Sequence, residues 1–139
     1  SRWAKGERPN ASGKIWKNSS SPDKSYASFR KYMDNVFAYA GTASLEKELN
    51  PVSSGDVQIG DVFIKGGFPG HAVLVADLAV HAVTKGQRFL LIQSYMPAQE
   101  MHVLKNPANG NDSPWYAPPS SELVTPEWTF PKDSLKRWP

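Results

Sequence analysis

The sequence predicts an α+β fold in which one main helix packs on a small, curved antiparallel sheet with long loops. Apolar residues recur at helical spacing in residues 28–40, and the period of the apolar residues changes to two from residue 57 onward. The 139 residues include 10 glycines and 12 prolines. That content favours a turn-rich domain over a helical bundle.

Length and composition indicate one globular domain over residues 1–139. A chain of this size can bury an ordinary core. Its hydrophobic fraction of 40% and charged fraction of 21% are typical of globular rather than disordered proteins. Cysteine is absent, so these residues contain no disulfide and no thiol nucleophile. The sequence begins without a methionine or a signal peptide, which indicates a processed product or an excised fragment.

The charge pattern argues against a nucleic-acid partner. Sixteen basic and 13 acidic residues give a net charge of +3, and the basic residues are scattered. A nucleic-acid binder usually carries a denser basic stripe. No apolar run approaches the ~18–20 residues that cross a bilayer, so no transmembrane segment is expected in this chain.

The N-terminal half is predicted to contain an irregular arm, residues 1–27, followed by a helical region, residues 28–50. The main helix covers residues 28–40, where Ser28 can cap its start and Gly41 its end. A second short helix follows at residues 45–49, after Ser44, and Pro51 ends it. The helical region therefore precedes the sheet in the chain.

The sheet is predicted over residues 57–104, and residues 105–139 form Pro- and Trp-rich loops with a closing helix at 132–137. Residues 89–92 are apolar at every position, which indicates a strand covered on both faces. A hairpin signal lies near Lys85 and Gly86. Strands are predicted at residues 57–59, 61–64, 71–80, 88–95 and 100–104.

The register of this hairpin predicts the partners of His71. If Lys85 and Gly86 form a two-residue turn, His71 lies opposite Glu100, whose carboxylate would orient the imidazole. A bulge near Pro97 would place Gln99, instead of Glu100, opposite His71. The same register places Asp77 opposite Ser94, and Gln93 opposite Leu78 at roughly 23 Å from His71 along the sheet.

His71 is the strongest candidate for chemistry. It follows a glycine-rich bend and opens an apolar strand, so its backbone is held rigid at a sheet edge, which suits a general base. The same placement suits a histidine that only caps the strand against solvent. Two histidines and one carboxylate, His71, Glu100 and His102, are also a zinc-binding combination. No short ligand motif accompanies them, so we expect neither a metal nor another cofactor.

Ser94 and the aromatic residues allow two interpretations each. No glycine elbow surrounds Ser94, which favours a hydrogen-bonded strand serine over a nucleophile. The aromatic rings either line a groove for a peptide or sugar or pin loops to the core. The substrate-binding candidates are Phe68, Gln93, Ser94, Tyr95 and Trp115.

Residues 60–75 and 89–104 resemble the signature of a bacterial family, domain of unknown function 4846. Ser113 to Tyr116, Thr125 to Trp128 and the main helix add to the resemblance, which covers nearly the whole chain. It implies an exported or lipoprotein setting, hence an extracytoplasmic location in the cell envelope. It also implies an upstream helical segment with a Cys, which would make this chain the C-terminal portion of a larger domain. It implies no activity.

Residues 60–63 and the strand led by His71 also resemble NlpC-type papain-like cell-wall peptidases. That resemblance implies a papain-like fold and a cysteine hydrolase of peptide or amide bonds, with a peptide or peptidoglycan-like substrate. His71 would be the base, and Glu100, Gln99 or Gln93 would orient it. Because the chain has no Cys, it would be inactive in isolation. The alternative is a non-catalytic module that binds a peptide or glycan between Tyr95, Phe68 and Trp115.

Overall fold

The chain folds into two units, Ser1–Gly41 and Thr42–Pro139. The structure is a computed structural model that describes residues 1–10, 12–97 and 99–139. The first unit contains a 3-10 turn, a two-stranded antiparallel sheet and a long helix. Its elements are the turn Trp3–Lys5, β1 (Glu7–Pro9), β2 (Trp16–Asn18) and α1 (Tyr26–Tyr39).

Trp3 organises the first unit. The Arg8 guanidinium lies 3.9 Å from the centroid of its indole, and the ring of Tyr32 lies 5.7 Å away. The indole N–H donates to Ser28 Oγ. The arm predicted as irregular therefore contains β1 and β2, and Ser28 is buried instead of capping α1. The cap is Ser25, whose hydroxyl accepts from the Ser28 N–H.

The second unit is built on a six-stranded antiparallel sheet with a short helix and a separate hairpin. Among the described residues, no helix is long and apolar enough to span a bilayer. The helix is α2 (Thr42–Glu48), and the hairpin is β8 (Glu122–Val124) with β9 (Thr129–Pro131). The sheet contains β3 (Asn50–Pro51), β4 (Val62–Lys65), β5 (His71–Val80), β6 (Gln87–Gln93), β7 (His102–Val103) and β10 (Leu135–Arg137), in the spatial order β3-β10-β4-β5-β6-β7.

The two faces of the sheet are covered by different elements. Alternation along β4 points Phe63 to one face and Ile64 to the other. On the face of Ile64, Leu45 and Leu49 from the region of α2 pack against the sheet. On the other face lies the larger core, whose buried residues include Val73, Val75, Phe89, Leu91, Leu104, Tyr116, Leu123, Phe130 and Leu135.

The predicted α+β class and the strand at residues 71–80 are confirmed. Within the second unit α2 packs on the sheet, and the longer α1 belongs to the first unit. The predicted strand at 57–59 is wrong: Val57 is buried, but the chain turns there, and the Gly60 N–H donates to the Val75 carbonyl.

The predicted closing helix at 132–137 is also wrong. A 3-10 turn at Lys132–Ser134 leads directly into β10, which lies between β3 and β4. Two contacts explain why residues 135–137 form a strand at this position in the sheet. Leu135 is fully buried opposite Phe63, and the Arg137 guanidinium binds the buried Asp61 carboxylate through two hydrogen bonds of 2.7 and 2.9 Å.

The predicted register of the β5–β6 hairpin is wrong by four positions. Val80 pairs with Gln87, and residues 81–86 form the loop. His81 shapes this longer loop, because its Nδ1 accepts from the backbone N–H groups of Val83 and Thr84. A bulge between Val75 and Asp77 shifts the register once more. Asp77 therefore lies opposite Leu90 rather than Ser94, and Leu78 lies opposite Phe89 rather than Gln93.

Candidate functional site

The loop before His71 is held against α2 by close backbone approach. His71 pairs with Lys65 across β4 and β5, so residues 66–70 form the connection. A Cβ added at Gly70 would lie 2.2 Å from Thr42 Oγ1 and 2.7 Å from the Lys65 carbonyl oxygen. Only glycine fits this position without displacing its neighbours. The glycine-rich bend therefore fixes the start of β5 and the backbone of His71.

His71 is the first member of a hydrogen-bonded chain of three side chains. Its Nε2 lies 2.6 Å from Gln93 Oε1. The amide nitrogen of Gln93 donates to Glu127 Oε2 over 2.7 Å. His71 is 9% exposed and Gln93 is 3% exposed, whereas Glu127 lies at the surface. These two hydrogen bonds thus connect a buried imidazole to a solvent-facing carboxylate.

The direction of these bonds assigns the tautomer of His71. The Glu127 carboxylate only accepts, so the Gln93 NH2 group must face it and the amide oxygen must face the imidazole. That oxygen also only accepts, so His71 Nε2 carries the proton and donates. In the neutral imidazole, Nδ1 of His71 is then the nitrogen without a proton. Among the described residues, Nδ1 forms no hydrogen bond.

Three aromatic rings surround the imidazole. The Tyr95 ring meets it edge-on at 5.2 Å between centroids, and the rings of Trp128 and Phe130 lie at 5.6 and 5.9 Å. Phe130 is fully buried, while Tyr95 and Trp128 are half-buried. These rings restrict the imidazole to one orientation and lower the polarity around it.

His71 opens onto a cavity of about 440 Å³. This volume falls in the range of small-molecule and cofactor pockets. Ser94 supplies a hydroxyl to the wall and Gln99 an amide. None of the described lining side chains carries a formal charge when His71 is neutral. The lining residues are Pro69, Gly70, His71, Ser94, Tyr95, Met96, Gln99 and Trp128.

The structure brings four of the predicted site residues to His71. Gln93 is bonded to it, Tyr95 contacts its ring, and Ser94 and Gln99 line the same cavity. The predicted separation of roughly 23 Å between Gln93 and His71 is therefore wrong. The cause is the register error in the β5–β6 hairpin.

Glu100, Phe68 and Trp115 lie elsewhere. Glu100 is exposed and is not opposite His71; its carbonyl oxygen accepts from His102 Nδ1. Phe68 is 98% exposed and does not line the cavity of His71. Trp115 lines a different cavity, beside Arg88. The expected groove between Tyr95, Phe68 and Trp115 is therefore not formed.

No group of three histidine, aspartate or glutamate side chains in the described ranges is arranged to hold a metal ion. His102 lies on β7 opposite Gln93, and its side chain is exposed. The combination of His71, Glu100 and His102 is therefore not assembled in the structure.

The sequence model of the family described as Domain of unknown function (4846) matches residues 1–137. The chain belongs to this family. No curated protein matches the chain, and no solved structure matches it either. The activity of this member of the domain 4846 family has therefore to be inferred from its own side chains.

Sequence reasoning missed the contribution of the β8–β9 hairpin to this site in the domain 4846 chain. Its turn carries Glu127 and Trp128, and Phe130 follows on β9. The turn is held by Thr125, whose hydroxyl donates to the Trp128 carbonyl over 2.7 Å. The signal was the Thr-Pro-Glu-Trp sequence of residues 125–128, which the resemblance to the family had already singled out.

Proposed function

We propose that the cavity at His71 is the active site of a hydrolase of peptide or amide bonds, with His71 Nδ1 as the general base. The proposal is carried by one observation. Gln93 and Glu127 fix the proton on Nε2, so the basic nitrogen is the one without a hydrogen-bond partner in the described part of the chain. Of the three residues expected to orient His71, which were Glu100, Gln99 and Gln93, this proposal gives the role to Gln93. The uncharged wall of the cavity suits a neutral peptide or peptidoglycan-like substrate.

The nucleophile in this proposal is a thiol supplied by protein outside the 139 residues, because the chain contains no cysteine. An upstream segment of the same protein, as the resemblance to the domain 4846 family implies, would bring it to the cavity. The thiol proton passes to His71 Nδ1 as sulfur attacks the carbonyl carbon. The imidazolium then returns that proton to the leaving amine, and water hydrolyses the thioester. The location of such an enzyme would be extracytoplasmic.

The side chains around His71 support the charge changes of these steps. When Nδ1 takes a proton, the imidazolium stays bonded to Gln93 Oε1, and the Glu127 carboxylate lies at the far end of the same chain. In catalytic triads a carboxylate stabilises the imidazolium through a direct hydrogen bond, whereas Glu127 would act on His71 through the amide of Gln93. The aromatic walls keep the imidazole from rotating away.

The test uses the native protein from its source and a cell-wall stem peptide as substrate, with product measured by mass spectrometry. We expect His71→Ala to lower the rate by about 10²–10⁴-fold, because the base is lost. His102→Ala is the matched control, since His102 is exposed and outside the cavity. Alkylation of thiols should also abolish turnover. Full activity of His71→Ala, or no turnover by the native protein, would contradict the proposal.

A single substitution tests whether this chain supplies the nucleophile itself. Ser94 lies in the cavity, and its hydroxyl is the nucleophilic group nearest in type to a thiol there. We expect Ser94→Ala to keep most of the activity, because no hydrogen bond joins Ser94 to His71 in the described part of the chain. A loss as large as that of His71→Ala would make Ser94 the nucleophile and would overturn the role of a thiol.

The second candidate function is a module that binds a peptide or glycan without cleaving it. It is favoured by the half-buried rings of Tyr95 and Trp128 on the cavity wall and by the absence of cysteine. In this case isothermal titration with stem peptides and glycan fragments would show binding by the 139-residue chain. Trp128→Ala would abolish that binding, and His71→Ala would leave it nearly unchanged.

A further inference from the structure

We propose that Glu127 is a positioning residue that sets the tautomer of His71 by acting through Gln93. The inference rests on the proposed function for its catalytic meaning. Its structural claim is that the carboxylate determines which ring nitrogen of His71 carries no proton. It is carried by two hydrogen bonds, 2.6 Å from His71 Nε2 to Gln93 Oε1 and 2.7 Å from Gln93 Nε2 to Glu127.

Gln93 alone does not determine which ring nitrogen of His71 is protonated. The two ends of a primary amide have nearly the same shape, and one accepts while the other donates. With its oxygen toward the imidazole, Gln93 requires a proton on His71 Nε2. With its NH2 group toward the imidazole, it requires the proton on Nδ1, and Nδ1 is then no longer the basic nitrogen. A second group must therefore select the orientation of the amide.

Glu127 is suited to make that selection. A carboxylate accepts hydrogen bonds and donates none, so it binds only the NH2 end of Gln93. A hydrogen bond to a charged acceptor is stronger than one to a neutral acceptor, so the carboxylate favours this orientation of the amide. Gln93 is 3% exposed, so water competes little for either end of its amide.

The hairpin turn holds Glu127 in place for this purpose. Thr125, which is 4% exposed, donates from Oγ1 to the Trp128 carbonyl and accepts from the Trp128 N–H. The Thr125 N–H also donates to the Trp128 carbonyl. The backbone on both sides of Glu127 is thereby fixed, and its carboxylate reaches the buried amide of Gln93.

The experiment is nitrogen-15 NMR of the three histidines in the folded chain, which reports the protonated nitrogen of each ring without any substrate. We expect the wild-type His71 to show Nε2–H and an unprotonated Nδ1. In Glu127→Gln the amide at 127 can donate as well as accept, so Gln93 can turn and His71 should shift toward Nδ1–H. Glu127→Leu, which removes the acceptor, should show a similar mixture.

The controls separate positioning from a general structural effect. Glu122→Gln changes an exposed glutamate on β8 of the same hairpin and should leave the His71 signals unchanged. In a Gln93→Leu background, Glu127→Gln should have no further effect, because the group through which it acts is gone. The signals of His81 and His102 serve as internal references for folding.

Two results would overturn the inference: Nδ1–H on His71 in the wild type, or unchanged Nε2–H in both Glu127 variants. Because no turnover is measured, the outcome is independent of the proposed hydrolase. A shifted tautomer with no hydrolysis would keep the role of Glu127 and reject the proposed function. Hydrolysis with an unshifted tautomer would reject the role of Glu127 and keep the proposed function.

Discussion

Gln93 and Gln99 carry the same side chain and differ in what surrounds it. Gln93 ends β6 on the core face and is bonded on both sides, to His71 and to Glu127. Gln99 is exposed at the rim of the cavity. At the scale of single residues, burial therefore decides which amide can orient an imidazole, because a buried amide is not competed for by water.

The first prediction compares these two glutamines. Gln93→Leu should lower the free energy of unfolding by about 1–3 kcal/mol, since the buried His71 N–H loses its acceptor. Gln99→Leu should change it by less than about 0.5 kcal/mol, as is usual for surface substitutions. Urea unfolding followed by tryptophan fluorescence measures both. Equal effects of the two variants would show that the hydrogen-bonded chain adds nothing to stability.

Strand β10, whose residues were predicted to be helical from local sequence, is held in the sheet by a tertiary ion pair. Its Arg137 donates to Asp61 through two nitrogens, and Asp61, 1% exposed, also accepts from the Gln58 N–H. These bonds, with Asp61 first and the nearby Asp56 charge after it, raise the pKa of the Arg137 guanidinium above its already high usual value. Asp61 thus joins the chain before β4 to the last strand of the sheet.

The second prediction removes that carboxylate. Asp61→Asn should destabilise the second unit by about 2 kcal/mol, because a buried charged acceptor of hydrogen bonds is lost. The control is Asp56→Asn, since the Asp56 carboxylate lies 3.4 Å from Arg137 and is largely exposed. Thermal unfolding should give a clearly lower Tm for Asp61→Asn only. If both variants unfold at the wild-type temperature, Asp61 does not hold β10.

The third prediction concerns the packing of α2 against the loop before β5. Gly70→Ala should destabilise the protein by about 1–3 kcal/mol, because the added Cβ would overlap Thr42 and the Lys65 backbone. Gly110→Ala is the matched control, since nothing lies within 4 Å of a Cβ there. Hydrogen exchange should rise at the amides of α2 and early β5 in Gly70→Ala. Wild-type stability of Gly70→Ala would mean that the loop is not held by close contact.

Across the whole second unit, one core joins residues that are far apart in the chain. Tyr116 is at its centre, 2% exposed, with its ring stacked on Phe89 and its hydroxyl donating to the Lys105 carbonyl. Burial, and secondarily the negative charge of Glu127, raises the pKa of the Tyr116 phenol well above its usual value. The core is therefore sensitive to alkaline pH.

The fourth prediction follows from that shift. In the unfolded chain a tyrosine ionises near pH ~10, whereas the folded protein keeps Tyr116 protonated to higher pH. Above pH ~10 the unfolded state binds fewer protons than the folded state, so the free energy of unfolding falls as pH rises. Urea unfolding between about pH 8 and about pH 11 should show a steeper fall for the wild type than for Tyr116→Phe.

The control for this pH effect is Tyr26→Phe, because Tyr26 is 73% exposed on α1. It should follow the wild-type pH dependence. Absorbance titration should also find one of the five tyrosines that ionises only on unfolding. Identical pH profiles for the wild type and Tyr116→Phe would contradict the burial argument.

Local pattern was enough to predict much of this protein. Helical spacing predicted α1 to within about a turn, alternation predicted β5 at its observed bounds, and the glycine-rich bend directed attention to His71. The residues 60–75 and 89–104 also indicated the family that the sequence match now shows. Each of these features depends on residues that are neighbours in the chain.

The tertiary structure decided the contacts between distant segments. The loop at residues 81–86 folded on His81 and shifted the register by four positions. The bulge between Val75 and Asp77 shifted it by one more, which placed Gln93 rather than Glu100 beside His71. The β8–β9 hairpin then supplied Glu127 and Trp128 from far along the chain. Any register error changes the cross-strand partners, and a slip of one residue moves every side chain beyond it to the other face. Local spacing holds no information about which distant turn covers a core face. For that physical reason the sequence directed attention to His71, and only the folded chain determined which side chains are bonded to its ring.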